Sequence, residues 1–341
     1  MVKIFAIGLS INYYTKGAFA DCNNLATINL PNSIISIGDV AFRSCPITSI
    51  TIPNSVKTMV GSPFLNCNKL ETININASSW SSWGDNRKEI QSVLYTSAIY
   101  PNDWRRVLES NIQNQKRNQK SDFKVWFTDI NNLTLVNIGN EVKLIPDFAF
   151  TLCNTLISIS IPNSVMSIGE ASFAGCNLTS VTIPNSVTTI KECAFDGCNN
   201  LETVNFNAIN CKVMGSEKFP VFSDCKKLSE LNIGNEVQII PAYAFMGLKG
   251  LKSITIPSSV KIIGEMAFKD CSNITEFICY AVVPPELKTS LVSRGEYASQ
   301  SILTFEGTNL MECTLMVPKE SIKAYKKAKG WKDFKEIKAI D

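Results

Sequence analysis

The chain has 341 residues, with 33 lysines and arginines against 30 aspartates and glutamates, for a net charge of +3. So small an imbalance marks out neither a nucleic-acid binder nor a membrane-surface protein, and an apolar share of 45% belongs to a packed chain rather than a disordered one. Histidine is absent, which removes the commonest general base, the usual activator of a Ser or Cys nucleophile and the commonest zinc ligand together.

Met1 to Ser10 carries one lysine before a short apolar stretch, in the manner of an export signal, but no small-residue cleavage site follows. The longest apolar run, Ile4 to Ile11, is too short to span a bilayer. Residues 1–17 are read as an edge segment, and localisation is left open by the absence of a convincing signal.

From Ala18 a phenylalanine returns at steps of 22 or 23 residues within three groups, the last two 27 residues apart: Phe19, Phe42 and Phe64; Phe150, Phe173 and Phe195; Phe222, Phe245 and Phe268. Each brings the same neighbours, as in LISISIPNSVMSIGEASFAGC (Leu156 to Cys176) and LKSITIPSSVKIIGEMAFKDC (Leu251 to Cys271). Self-similarity at this period predicts a solenoid, whose long repetitive surface suits binding better than catalysis. Within a copy, the frame L-x-x-I-x-I (Leu25, Ile28, Leu30; Leu178, Val181, Ile183) ends in a strand with alternate side chains on opposite faces. A Pro-Asn-Ser or Gly-Asn-Glu turn follows, then a second short apolar segment, then Ala-Phe-x-x-Cys as a helical turn or a tight irregular loop. A lone copy buries too little to offset the cost of ordering it, so copies must stack. The phenylalanine is the expected contact between them, and Phe173→Ala would cost about 3–5 kcal/mol.

The stretch 81–124 breaks the period. Residues 126–174 match 221–269 at an offset of 95, and ETININA (Glu71 to Ala77) matches ETVNFNA (Glu202 to Ala208), which leaves about 36 residues inserted between Trp80 and Lys124. Ile90, Val93, Leu94 and Ala98 have helical spacing, as do Trp104, Val107, Leu108 and Ile112, with Pro101 between them. A helical hairpin is therefore predicted. Four of the five tryptophans lie in or beside it, and residues 87–124 carry eight basic and four acidic side chains. Trp80, Trp83, Trp104, Arg105, Arg106, Lys116 and Arg117 are the candidate binding residues, since tryptophan and arginine dominate binding hot spots. The alternative is a decoration whose tryptophans cover its own inner face. Nothing there matches a nucleic-acid-binding module.

Eight of the twelve cysteines lie three residues after the repeated phenylalanine: Cys22, Cys45, Cys67, Cys153, Cys176, Cys198, Cys225 and Cys271. Ile130 and Leu248 occupy the same slot, so it reads as an apolar core position that a free thiol fills. Partial disulfides between neighbouring copies stay open. Cys193 with Cys198 makes a weak metal signal without a second pair or a histidine, and no cofactor is predicted.

The outward positions of the strands hold Asn29, Thr51, Asn74, Asn137, Ser160, Thr182, Asn205, Asn232 and Thr255, a nearly uncharged carpet without aromatics. It is either a set of ladders bonded between copies or a broad, low-affinity contact surface for protein. It offers no carboxylate pair for hydrolysis.

The motif IPNSVxxIGxxAFxxCxxL, seen at Ile52 to Cys67 (degenerate), Ile161 to Cys176 and Ile183 to Cys198, resembles the BspA-type subclass of leucine-rich repeats, found in bacterial surface proteins. The ending LMVPKESIKAYKKAKGWKDFKEI (Leu315 to Ile337), with Val283, Pro284 and Pro285 before it, is similar to the closing strand and helix of that family. The resemblance implies an α/β fold: a right-handed leucine-rich-repeat solenoid of ~23-residue turns with short strands and a C-terminal strand/helix cap. It implies no enzymatic activity, a cell-surface or secreted location, and adhesion to protein ligands such as host matrix proteins or other cells. A structural spacer, or a glycan-binding accessory protein using the tryptophans, is the alternative. The expected organisation is 1–17 edge segment, 18–80 repeats, 81–124 inserted hairpin, 125–280 repeats and 281–341 cap, in a monomer.

Overall fold

The computed structural model describes residues 3–5, 13–78, 127, 130–288, 290–294, 297–301 and 303–340. The inserted hairpin expected at 81–124 lies outside them. The chain divides into one unit of residues 1–164 with 171–176 and a second of 165–170 with 177–341.

Each unit is a stack of parallel coils, as a ~23-residue repeat requires. In the first, strands Ser49–Ile52, Thr72–Ile75 and Leu135–Ile138 pair in parallel, with Ile50, Ile73 and Val136 in register. Their burial alternates exposed and buried along Ser49–Ile52 and Leu135–Ile138, so one face is core and the other is wet. A second set of two-residue strands, Tyr13–Tyr14, Ser36–Ile37 and Thr58–Met59, closes the other side of the coils. Lys3–Phe5 pairs in parallel with Thr27–Asn29, so strands already add to the stack upstream of Ala18. Thr72–Ile75 meets Leu135–Ile138 directly, and the Asn74–Asn137 pair spans 63 residues. The stack therefore continues directly from Thr72–Ile75 to Leu135–Ile138.

The second unit repeats the plan. Ser180–Ile183, Thr203–Phe206 and Glu230–Ile233 form one parallel sheet, and Ser253–Ile256, Glu276–Cys279, Thr314–Val317 and Glu336–Ala339 form another. Short strands again close the second side, for example Ile239–Ile240, Ile262–Ile263 and Glu286–Leu287. An antiparallel hairpin, Ser290–Arg294 with Tyr297–Ser301, interrupts the last coils. The cap holds the one α-helix among the described residues, Ile322–Tyr325. The regular elements are thus nearly all strand.

The aromatic spine is built as parallel rings. Phe19, Phe42, Phe64, Phe127, Phe150 and Phe173 stack in turn with centroids 5.3–5.6 Å apart and planes within 15°. Tyr14 meets Phe19 and Phe42 edge-on. In the second unit Phe195 stacks on Phe222, and Phe245, Phe268 and Phe305 stack in sequence. Offset stacking adds to the burial of each ring. Except for half-buried Phe19, all these rings are buried.

The Ala-Phe segment is a turn, not a helix, because it contains left-handed residues. Asp21, Ser44, Asn66, Leu152, Gly175, Gly197, Asp224, Gly247, Asp270 and Gly307, each two places after a spine phenylalanine, all have positive φ. Gly, Asn and Asp tolerate that region best. Gly247 has φ +79°, and a Cβ there would meet nothing within 4 Å, whereas a Cβ on Gly250 would sit 2.1 Å from the Leu228 carbonyl oxygen. Gly247→Ala is therefore expected to cost about 1–2 kcal/mol from the backbone alone. Gly250→Ala is expected to cost more, because the neighbouring coil must move. The urea midpoints of the two variants, measured side by side, check the order.

Candidate binding surface

The outward strand face is a set of side-chain ladders. In the first unit Asn74 Nδ2 donates to Thr51 Oγ1 at 3.2 Å, and Asn137 Nδ2 donates to Asn74 Oδ1 at 2.8 Å. The second unit repeats this: Asn205 Nδ2 to Thr182 Oγ1 at 3.2 Å, then Asn232 Nδ2 to Asn205 Oδ1 at 3.0 Å. Parallel register produces the rows, since Thr51, Asn74 and Asn137 are paired partners, as are Thr182, Asn205 and Asn232. Asn74 and Asn205 each spend one N–H and the oxygen on the row and keep a second N–H for solvent or a ligand. The signal in the sequence is an asparagine or threonine recurring inside I-x-I of successive copies.

The two faces differ in one place. Glu230 accepts from Asn232 Nδ2 at 2.8 Å and Thr203 Oγ1 at 3.0 Å, and these bonds hold its carboxyl below the usual glutamate range. The equivalent position 95 residues earlier is Leu135, 44% exposed, with Ile157 at 51% in the following copy. The first face is therefore neutral with an aliphatic flank, and the second carries an oriented anion.

The phenylalanine edge has its own pattern. Cys45 Sγ donates to Phe19 O at 2.9 Å, Cys67 to Phe42 O at 3.0 Å, Cys176 to Phe150 O at 3.1 Å, Cys225 to Phe195 O at 3.2 Å and Cys271 to Phe245 O at 3.2 Å. Thr308, three places after Phe305, makes the same bond to Phe268 O at 2.8 Å. The slot is thus a donor to the preceding coil as well as an apolar filler. These carbonyls also accept an N–H within their own coil, for example Cys22 N to Phe19 O, which explains why Ile130 and Leu248 are tolerated. The twelve cysteines are thiols, and only Cys22 and Cys193 are short of full burial. Burial pushes Cys67, Cys153 and Cys271 up to about 12, so they are inert at neutral pH.

On the same edge of the second unit, Lys269 Nζ bridges Glu217 at 3.0 Å and Glu306 at 2.7 Å, which raises its pKa well above the lysine range. Beside it a groove of about 670 Å³ is lined by Ser223, Asp224, Lys226, Gly247, Lys249 and Asp270. Its charges are mixed in sign, and nearby ion pairs tie coil to coil. Among the described residues no group of three or more Cys, Asp or Glu is placed to hold a metal ion, and no helix is long and apolar enough to cross a membrane. The sequence candidates Trp80, Trp83, Trp104, Arg105, Arg106, Lys116 and Arg117 lie outside the described residues.

Solved structures similar to this chain include a leucine-rich repeat protein from Bacteroides ovatus, 20% identical over 97% of this chain and 76% of that one, with a TM-score of 0.47. A leucine-rich repeat protein from Eubacterium ventriosum is 19% identical, covering 77% and 81% with a TM-score of 0.33. A leucine rich cell surface protein from Faecalibacterium prausnitzii is 18% identical, covering 90% and 83% with a TM-score of 0.28. No curated protein has a significantly similar sequence. The family description "BspA type Leucine rich repeat region (6 copies)" matches residues 2–93, 124–220 and 220–317. With well over half its residues inside those matches, the chain belongs to the BspA-type leucine-rich repeat family.

Proposed function

We propose that this chain is a non-enzymatic binding protein of the bacterial cell surface, which docks protein ligands such as host matrix proteins on its strand faces. The observation that carries this reading is the laddered face. Hydroxyls and carboxamides stand in register, already bonded to one another, so a ligand meets groups whose side-chain entropy is largely spent. The donors left over match peptide carbonyls, and the face is broad and nearly neutral, as suits a contact made from many weak bonds. The inserted tryptophans and arginines, Trp80 to Arg117, are a second contributor on the hot-spot argument.

The test is binding of the full chain to immobilised matrix proteins and polysaccharides, beside Thr51→Lys and Thr182→Lys and a version lacking 81–124. The expected result is capture of at least one matrix protein, weakened about tenfold or more by a lysine that breaks a ladder, equivalent to roughly 1.4 kcal/mol. Binding that ignores both lysines but vanishes with 81–124 would move the site to the insertion. Capture of polysaccharides alone would replace the protein ligand with a glycan, and capture of nothing would leave a spacer.

A further inference from the structure

We propose that Cys22 and Cys45 form a redox-sensitive staple, in which a mild oxidant joins the two thiols on neighbouring coils of the first unit into a disulfide. This goes beyond ligand binding and does not depend on it. Hydrogen bonds around one carbonyl place the pair. Phe19 O accepts Cys22 N–H at 3.3 Å and Cys45 Sγ at 2.9 Å, so the Cys45 sulfur lies over the backbone that carries Cys22. The two coils are locked in step beside it: Phe19 N–H donates to Ala41 O and Asp21 N–H to Arg43 O, both at 2.7 Å, and Asp21 pairs with Arg43 across the coils. Parallel backbones bonded this way lie about 4.8 Å apart, inside the Cα separation of roughly 4.4–6.8 Å that a disulfide needs.

Within the first unit access singles out this pair, the other half-buried thiol, Cys193, belonging to the second unit. Cys22 is half-buried, whereas Cys45, Cys67, Cys153 and Cys176 are buried in the same unit. An oxidant in solution therefore meets Cys22 first, and its ladder neighbour is the sulfur within reach. With hydrogen peroxide, the Cys22 thiolate attacks one oxygen and the O–O bond breaks. The departing hydroxide takes the thiol proton and leaves as water, and Cys22 becomes a sulfenic acid. The Cys45 sulfur then attacks the Cys22 sulfur, an S–S bond forms, the S–O bond breaks, and the hydroxyl leaves with the Cys45 proton as a second water. Two thiols are oxidised and one peroxide is reduced. Burial holds the Cys45 thiol up at about 11, so little of it is thiolate at neutral pH. Phe19 O gives up one of its two donors and keeps Cys22 N–H.

The experiment uses the full chain, reduced, freed of reductant and treated with one equivalent of hydrogen peroxide, followed by intact mass and non-reducing peptide mapping. Two of the twelve thiols are expected to disappear, the mass to fall by two hydrogens, and one cross-linked peptide to join Cys22 to Cys45. The melting temperature should rise and return with dithiothreitol. Cys22→Ser, at a half-buried position, should fold by circular dichroism and keep all its remaining thiols under the same treatment. A sulfinic acid on Cys22 with Cys45 still reduced would overturn the proposal, as would links scattered among the buried pairs, or loss of two thiols in Cys22→Ser.

Discussion

Replacing Phe150 with alanine is expected to destabilise the first unit by about 3–5 kcal/mol, the range for emptying a fully packed phenylalanine site. Phe150 is 0% exposed, and its ring lies between Phe127 at 5.5 Å and Phe173 at 5.3 Å. Truncation therefore removes two stacking partners and opens a cavity at two coil boundaries. The neighbours cannot close on it, because inter-coil hydrogen bonds hold their backbones: Phe150 N–H donates to Ser172 O at 2.7 Å, and Phe150 O accepts the Cys176 thiol. Phe150→Leu, which keeps most of the volume, should cost about 1.5 kcal/mol or less, and Ile157→Ala, at a 51% exposed site, should stay within about 0.5 kcal/mol. Because each coil touches only its neighbours, the loss should appear first as faster amide exchange between residues 127 and 176 and only then as a lower urea midpoint. A Phe150→Ala midpoint within error of the parent would mean that the spine is not what joins the coils.

The same logic of neighbour-to-neighbour contact decides what the sequence reveals. A coil must offer the next one the same shape, so the residues that make that contact have to recur, and Phe42, Ile50 and Val56 were readable from their repetition alone. Phe305 escaped because the hairpin Ser290–Arg294 and Tyr297–Ser301 stretches the step from Phe268 to 37 residues, and a period cannot flag a copy that breaks it. The thiol bonds were hidden for another reason. A slot that accepts Cys, Ile or Leu reads as purely apolar, and only Thr308 in the same place hints that donation matters there. The left-handed pivot was legible in principle: the residue two after the spine phenylalanine is Gly, Asp, Asn or Ser in every coil except that of Leu152. Repetition with that composition indicates backbone geometry rather than function. The strand ladders were legible as composition but not as bonds, since whether Asn74 points at Thr51 depends on register. The tryptophan-rich stretch has no second copy for comparison, so periodicity is silent about it.

In the second unit, Trp331→Ala is expected to undo the cap. Trp331 is 1% exposed, meets Tyr325 and Phe305 edge-on at 5.4 and 5.6 Å, and donates its indole N–H to Pro285 O at 2.9 Å. Tyr325 reaches back in the same way, to Ala281 O at 2.8 Å. The two side chains thus bond carbonyls of the loop that no strand pairs, while the Trp331 ring packs on Phe305 and Phe334. Losing the indole combines a cavity worth about 3–5 kcal/mol with a buried carbonyl short of its donor, about 1–3 kcal/mol more. Trp331→Phe should fall between parent and alanine, and Tyr325→Phe should cost only the hydrogen-bond share. The segment beyond Pro318 is rich in lysine, from Lys319 through Lys338, so trypsin reports its opening directly. Cleavage there should accelerate in Trp331→Ala in step with the lost stability, and apolar ends freed by the departing strand Glu336–Ala339 should drive self-association visible by light scattering. If the alanine variant resists trypsin as the parent does, the coils of the second unit hold together without the cap, and the role assigned to these rings fails.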